Sequence, residues 1–386
     1  MAGSEQESET TIKNTEEVSQ PPSSMTSNTA LPILYKRWTE AILPGPLPVE
    51  IEATCSQCAM CPPPGELVSD DRLFFDSGSK CCTYSPGLPN FMVGSILMDT
   101  TPSMDAGRTS LTKRLDMELG VSPLAVLPPP FYNLIYRHSQ DAFGRNTTLR
   151  CPHLDSTLGT CTIWPYREPT CLTWFCKHQR GKTGQTFWKH LYSFLSTINK
   201  ELALWCVLQL DIGVDALQAL TRWRESEITG ENLKTSEVDC KADENAAKKL
   251  WGRWWRRKTT FYAECSRLVA ALTYRDVEKI CGPEVQLSGQ MLLQAYNNLL
   301  KNEIPANLKV GRFEVEGVSL DTVRVWSYSR LDPLDLPTAV FKSLPFFNGQ
   351  PSSEVLSSVR LHLGASLDSR LLRTLIDFGI LEVGEE

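Results

Sequence analysis

The sequence contains no uninterrupted apolar run long enough to cross a bilayer, so no membrane-spanning helix is expected. Its first 30 residues lack the apolar centre of a secretion signal: they hold eleven Ser or Thr, five Glu and a single Lys, Lys13. So polar a segment buries too little surface to offset the entropy of ordering, and residues 1–30 are expected to form a disordered tail. No P-loop, no H-E-x-x-H and no recognisable Ser/His/Asp arrangement occurs, which removes the common hydrolase and NTPase readings. A glycine-rich fingerprint after a strand, the mark of a Rossmann-type methyl-donor site, is also missing. The net charge is only −6, so no general attraction to nucleic acid or an anionic membrane is expected.

Cysteine, by contrast, is abundant. The chain has 386 residues, 41% hydrophobic and 22% charged, an ordinary balance for a soluble protein of two or three packed units. It holds 13 cysteines, an odd number, with nothing marking it for an oxidising compartment. In a cytoplasmic, reducing setting such clusters point to metal ligation or thiol chemistry before disulfides. Four cysteines are isolated: Cys206, Cys240, Cys265 and Cys281 read as small core or half-buried residues. The other nine, Cys55, Cys58, Cys61, Cys81, Cys82, Cys151, Cys161, Cys171 and Cys176, fall in two groups and are the expected metal ligands.

"CSQCAMC" is C-x2-C-x2-C, and a two-residue gap lets one tight turn aim two sulfurs at one centre. A plain ferredoxin run needs a fourth cysteine where Gly65 stands. The neighbours Cys81 and Cys82 suit a turn, or ligation of two different centres. From Cys151 to Cys176 the gaps are nine, nine and four residues, wider than in a compact zinc finger. That segment therefore reads as half of a split site, completed by Cys55–Cys82 across a long insert, residues 83–150. Either zinc or an iron–sulfur cluster such as [4Fe–4S] fits the donors, and the triplet favours iron–sulfur. A purely redox-active thiol cluster is the competing reading. His153 and His178 are candidate substitutes for a thiolate, or simply packed histidines. Trp164, Trp174 and Phe175 are placed to shield a centre from water. Arg167 either donates to a thiolate or sulfide or pairs with Glu168. Pro62, Pro63 and Pro64 end any helix after Cys61.

Taken in order, C-x2-C-x2-C, the Cys-Cys pair, "CPHL", "TCTIW", Arg167, Cys171 and "FC" resemble the YkgJ-type (CxxCxxCC) cysteine-cluster proteins, a zinc- or iron-chelating family. The resemblance covers about residues 50–180 and includes Ile163 and Trp164. It departs from the family in the 62–80 spacer, in the 83–150 insert, and in Glu168 separating Arg167 from Pro169. It implies bound zinc or an iron–sulfur cluster and specifies little about a reaction. Flagellin lysine N-methylase is similar to this family, so an iron–sulfur-dependent enzyme acting on a protein or peptide is the alternative.

The expected fold is mostly α: a loop-rich, metal-stabilised cysteine-cluster domain (31–182), a helical bundle (183–304), and a β-hairpin with a small α+β winged-helix-like module (305–386). Apolar residues near i, i+3/4, i+7 spacing, including Phe187, Leu191, Phe194, Ile198 and Leu202, mark one amphipathic helix. "DALQALTRWRES" marks a second, and residues 226–242 read as a polar loop. A long helical pattern runs to Gly282, and another follows to Pro305. In "KKLWGRWWRRKTTFY" basic residues interleave with tryptophans, a pattern that can bind nucleic acid, a membrane surface or an acidic partner. The tryptophans share a helical face and the arginines lie largely elsewhere, so a bundle helix with a basic outer surface is the favoured reading. Residues 308–328 alternate as two strands turning at Gly317. From Leu331 to Glu386 there are four Lys/Arg and eight Asp/Glu, so a protein or peptide partner is favoured over DNA.

Overall fold

The computed structural model describes residues 31–55, 58–62, 74–229 and 243–384. The expected tail 1–30, Pro63, Pro64, Gly65 and Cys240 lie outside them. The chain is mostly helical, with short antiparallel sheets. Its first half contains helices α1 (Ile33–Glu40), α2 (Asn90–Met98), α3 (Asp105–Asp116), α4 (Pro130–His138) and α5 (Pro169–Thr173). Two short ribbons tie its loops: β1 (Leu88–Pro89) pairs with β2 (Ala125–Val126), and β3 (Leu154–Asp155) with β4 (Thr160–Cys161). The bundle continues with α6 (Gly181–Gln209), α7 (Val214–Thr229), α8 (Glu244–Trp251), α9 (Lys258–Ala270), α10 (Tyr274–Cys281) and α11 (Pro283–Leu300). No helix among the described residues is long and apolar enough to cross a membrane.

The stripe read from the sequence forms the spine of α6: Phe187, Leu191, Phe194, Ile198 and Leu202 are completely buried. One apolar core joins this stripe to Tyr35, Trp38, Phe91, Met92 and Leu111 from the first half of the chain. The expected boundary at 182/183 therefore does not separate two cores. Much of the 83–150 insert is bundle material, because α2 packs across α9. Gly94 is the point of closest approach: a Cβ there would lie 1.9 Å from the Tyr262 carbonyl oxygen. The Asn90 amide donates to the carbonyls of Pro123 and Ala203, both at 2.9 Å, and pins the insert to α6.

The long helical pattern ending at Gly282 is broken into three α-helices. Gly252 takes a positive φ of 49°, and a Cβ would lie 2.2 Å from the Ile212 carbonyl oxygen, so the chain leaves α8 there for a 3-10 turn. Thr273 and Asp276 form a reciprocal capping box that starts α10 afresh. Residues 226–229, expected in a loop, continue α7, and 230–242 lie outside the described residues. The basic tryptophan segment serves its own packing. Trp251 is fully buried, Trp254 donates its indole N–H to the Leu210 carbonyl at 3.0 Å, and Lys258 lies 3.9 Å from the Trp255 ring centre.

A second core is enclosed by residues 308–381, with Val325, Val359 and Leu375 completely buried. Strand β5 (Asn307–Val310) is followed by β6 (Glu314–Val318), β7 (Thr322–Trp326), β8 (Leu334–Pro337), α12 (Thr338–Ser343), β9 (Asn348–Pro351), α13 (Ser352–Leu363), α14 (Ser369–Asp377) and β10 (Leu381–Val383). The strand orders are β10-β5-β9 and β6-β7-β8. Gly317 is not the turn: it sits inside β6 at a register shift, and Ser319 closes the chain reversal through bonds with Thr322. Arg180 docks this unit on the bundle. Its guanidinium donates to the carbonyls of Leu299 (2.7 Å) and Lys301 (2.9 Å) and to the buried carboxylate of Asp377 (3.0 Å), which Arg373 also binds (3.0 Å).

Truncating Asp377 to Ala leaves two arginines facing each other without their anion. The expected result is a loss of about 3 kcal/mol in urea unfolding, with a smaller loss for Asp377→Asn, which keeps an acceptor.

Candidate metal centre

Tight turns build the first half of the site. The Cys61 amide donates to the Cys58 carbonyl at 3.0 Å, which closes the C-x2-C loop, and the Phe75 amide donates to the Met60 carbonyl at 2.6 Å. Residues 76–82 form another turn, in which the Cys82 amide donates to the Ser79 carbonyl at 3.0 Å. The second half then joins directly: the Cys151 amide donates to the Cys82 carbonyl at 2.7 Å. The β3–β4 hairpin sets Cys161 opposite Leu154. Glu168 caps α5, its carboxylate accepting from the amides of Thr170 (3.0 Å) and Cys171 (3.1 Å). Pro169 at the first helical position suits that start.

These turns enclose a cavity of about 210 Å3. Cys55, Cys58, Cys81 and Cys82 from the first segment line it, together with Cys151, Cys161, Cys171 and Cys176 from the second. Cys61 does not line it; it packs beside Cys58 in a small apolar cluster around Met60 and Phe75. Cys206, Cys265 and Cys281 lie apart, buried in the bundle. Among the described residues, no group of three His, Cys, Asp or Glu side chains is disposed to hold a single metal ion. The thiols are instead distributed over the cavity wall.

Trp164, Trp174 and Phe175 also line the cavity, with Phe143. Phe175 packs on Trp188 of the bundle at 4.8 Å, and Trp174, 38% exposed, meets Phe143 at 5.1 Å on the outer side. The buried Arg167 guanidinium stacks 3.5 Å from the Trp164 ring centre, and its Nε donates to the Trp164 carbonyl at 3.3 Å. Lys80, with a left-handed φ of 50°, donates its ammonium to the carbonyls of Cys55 (2.5 Å) and Gly159 (3.4 Å), bridging both cysteine segments. Of the two candidate histidines, His153 lines the cavity and His178 does not. The His153 ring is 2.8 Å from the Ser110 hydroxyl, and the His178 amide donates to Asp332 at 3.0 Å. Burial pushes both rings down to about 4, so they are neutral.

Burial raises most of the thiols. Cys61, Cys161 and Cys176 are pushed up to about 12, and desolvation raises Cys151 and Cys171 as well. Cys82 moves down, held by the Cys81 thiol and then by the Lys80 and Arg167 charges. The raised thiols are uncharged and poor nucleophiles, and Cys82, moved down beside Cys81, is the exception. A bound cation supplies the field that deprotonates such groups.

Lys80, Glu50 and Asp332 have roles that residue spacing did not identify. Lys80 had one available signal, its position beside the Cys-Cys pair. Glu50 and Asp332 had none: both are buried behind the site, where Glu50 accepts from the Trp188 indole at 2.6 Å and Asp332 accepts from the Tyr328 hydroxyl. Compared with known proteins, the chain matches no family model, no curated protein and no solved structure.

Lys80→Met removes both bridging bonds while keeping the stem. It is expected to lower stability by roughly 1–3 kcal/mol in urea unfolding of the metal-free chain.

Proposed function

We propose that this protein binds a metal centre through its clustered cysteines, with an iron–sulfur cluster favoured over zinc. The observation that carries the reading is the convergence of eight thiols, from two segments far apart in sequence, on one cavity. Its donors are soft sulfur ligands, suited to zinc or iron–sulfur. The cavity volume greatly exceeds the roughly 10–15 Å3 that one water molecule needs, so a multi-atom occupant fits better than one ion. Cys55, Cys58, Cys61, Cys81, Cys82, Cys151, Cys161, Cys171 and Cys176 are the proposed ligand pool. Arg167 and Lys80 offset thiolate charge, and the aromatic wall limits water. When bound, a cluster supplies one-electron chemistry or simply ties the loops together. The C-terminal unit, in which α14 precedes β10, is read as a winged-helix-like module for a protein or peptide partner, because its net charge repels phosphate. The clustered thiols suit a reducing, cytoplasmic setting.

Anaerobic purification followed by iron, zinc and sulfide analysis tests the reading. Iron with acid-labile sulfide and broad visible absorption is expected. A colourless protein with stoichiometric zinc and no sulfide transfers the site to zinc, and a chain without either removes the proposal. Arg167→Ala is expected to weaken metal retention about 10–100-fold in chelator competition, with partial recovery in Arg167→Lys.

A further inference from the structure

The cavity is larger than the metal centre proposed for it. One water needs roughly 10–15 Å3 of such space, so about 210 Å3 holds on the order of 14–21 atoms of that size. A cluster of four irons and four sulfides takes up roughly half, which leaves room for a small organic group. Part of the wall around that room is aromatic: Tyr84, Tyr136, Phe143 and Trp174 line the cavity together with Pro86.

The four rings come from the loop after Cys82, from α4 and the turn beyond it, and from the end of α5, and they are fastened to one another. Tyr84 meets Tyr136 edge to face at 6.1 Å, and Phe143 meets Trp174 in the same way at 5.1 Å. Thr170 joins the two pairs: its hydroxyl accepts from the Tyr84 hydroxyl at 3.3 Å, and its carbonyl accepts from the Trp174 amide at 3.0 Å. On the other side, the Gly144 amide donates to the Thr83 hydroxyl at 2.9 Å, which ties the residue after Phe143 to the residue before Tyr84. Tyr136 is backed by Tyr132, stacked at 5.8 Å, whose hydroxyl accepts from the Ser85 amide (2.8 Å) and donates to the Thr83 carbonyl (2.5 Å). None of the four is fully covered: Trp174 is exposed and the other three are half-buried. Rings that served only a core would be enclosed by neighbours, whereas these border the cavity and solvent together.

We propose that Tyr84, Tyr136, Phe143 and Trp174 form a subsite for an uncharged aromatic ring, either a free phenol or the side chain of a tyrosine or phenylalanine in a peptide. This rests on the metal-binding reading above, which sets how much of the cavity is left, and adds a ligand to a wall so far assigned only the exclusion of water. The charged side chains of the cavity are already engaged within the fold. Lys80 donates to two carbonyls, Arg167 lies on the Trp164 ring, and the Glu168 carboxylate accepts from two amides. A charged ligand would compete with those bonds and give up its hydration against an apolar wall. An uncharged ring meets the four side chains edge to face, as they already meet each other. It enters past Trp174, the most exposed of the four, and shares the cavity with the metal centre.

The test titrates p-cresol into the full chain, purified anaerobically with its metal, by isothermal calorimetry. Saturable binding is expected, with Phe143→Ala and Tyr136→Ala each weakening it about tenfold or more. Tetramethylammonium and benzoate, both charged, are expected to bind at least about tenfold more weakly than p-cresol. A glycine peptide with one central tyrosine, compared with its alanine counterpart, separates the two sources: binding tighter than p-cresol assigns the subsite to a peptide side chain, and weaker binding assigns it to a free phenol. No saturable binding of p-cresol to the metal-loaded chain, tighter binding of a charged probe, or an unchanged affinity in either variant overturns the subsite and leaves the metal-binding reading standing. A chain that holds no metal yet binds p-cresol through Phe143 and Tyr136 keeps the subsite and removes the metal reading; a chain that binds neither overturns both. Should a variant fail to fold, photo-crosslinking of the unaltered chain with a diazirine-bearing phenol decides the matter: labels are expected within 84–86, 136–143 and 170–174, and labels confined to other segments overturn the subsite.

Discussion

Eight thiols share one cavity wall, and few other parts of the structure can be understood apart from that constraint. Burial in an apolar surround keeps most of these sulfurs uncharged, as the upward displacement of Cys151, Cys161, Cys171 and Cys176 records. The surrounding turns bury little apolar surface of their own: Ala53, Met60, Phe75 and Cys176 make a very small core. Order here comes from backbone hydrogen bonds between segments, above all Cys151 to Cys82, and from Lys80 reaching carbonyls on both sides. Metal ligation in the proposed manner would add the long-range ties that such a region otherwise lacks.

The remainder of the chain supplies rigidity. Helix α6 carries the main core along its length, and its N-terminus begins only five residues after Cys176. Phe175 anchors the cavity wall on Trp188 of that helix, and Glu50 ties the loop before Cys55 to the same indole. The C-terminal unit is joined to the segment after Cys176 through Arg180 and Asp377, and its Asp332 accepts from the His178 amide. The cavity is therefore bounded by loops, but those loops are fastened to two separate apolar cores.

Several features were legible in the residue order. The apolar stripe of α6, the burial of Cys206, Cys265 and Cys281, and the mostly helical class all follow from periodicity and hydrophobicity. Boundaries were less legible. The break at Gly252 depends on the close approach of the Ile212 carbonyl, and the inclusion of α2 in the bundle depends on Gly94 meeting Tyr262; both partners are remote in sequence. Gly317 illustrates the converse: glycine suits a turn, yet Ser319 and Thr322 supply the bonds that close it.

For the candidate site, spacing alone selected the nine cysteines and suggested that Cys151–Cys176 was half of something, since ligand identity and local turn geometry are short-range properties. Which thiols face a common space was decided only by the tertiary structure. The 68 residues between Cys82 and Cys151 leave their approach unspecified until α2 and α3 pack into the bundle core and return the chain beside its earlier turn. Cys61 lying outside the cavity lining, and Lys80 joining the two cysteine segments, are consequences of that folding, because contacts between distant segments have no local signature.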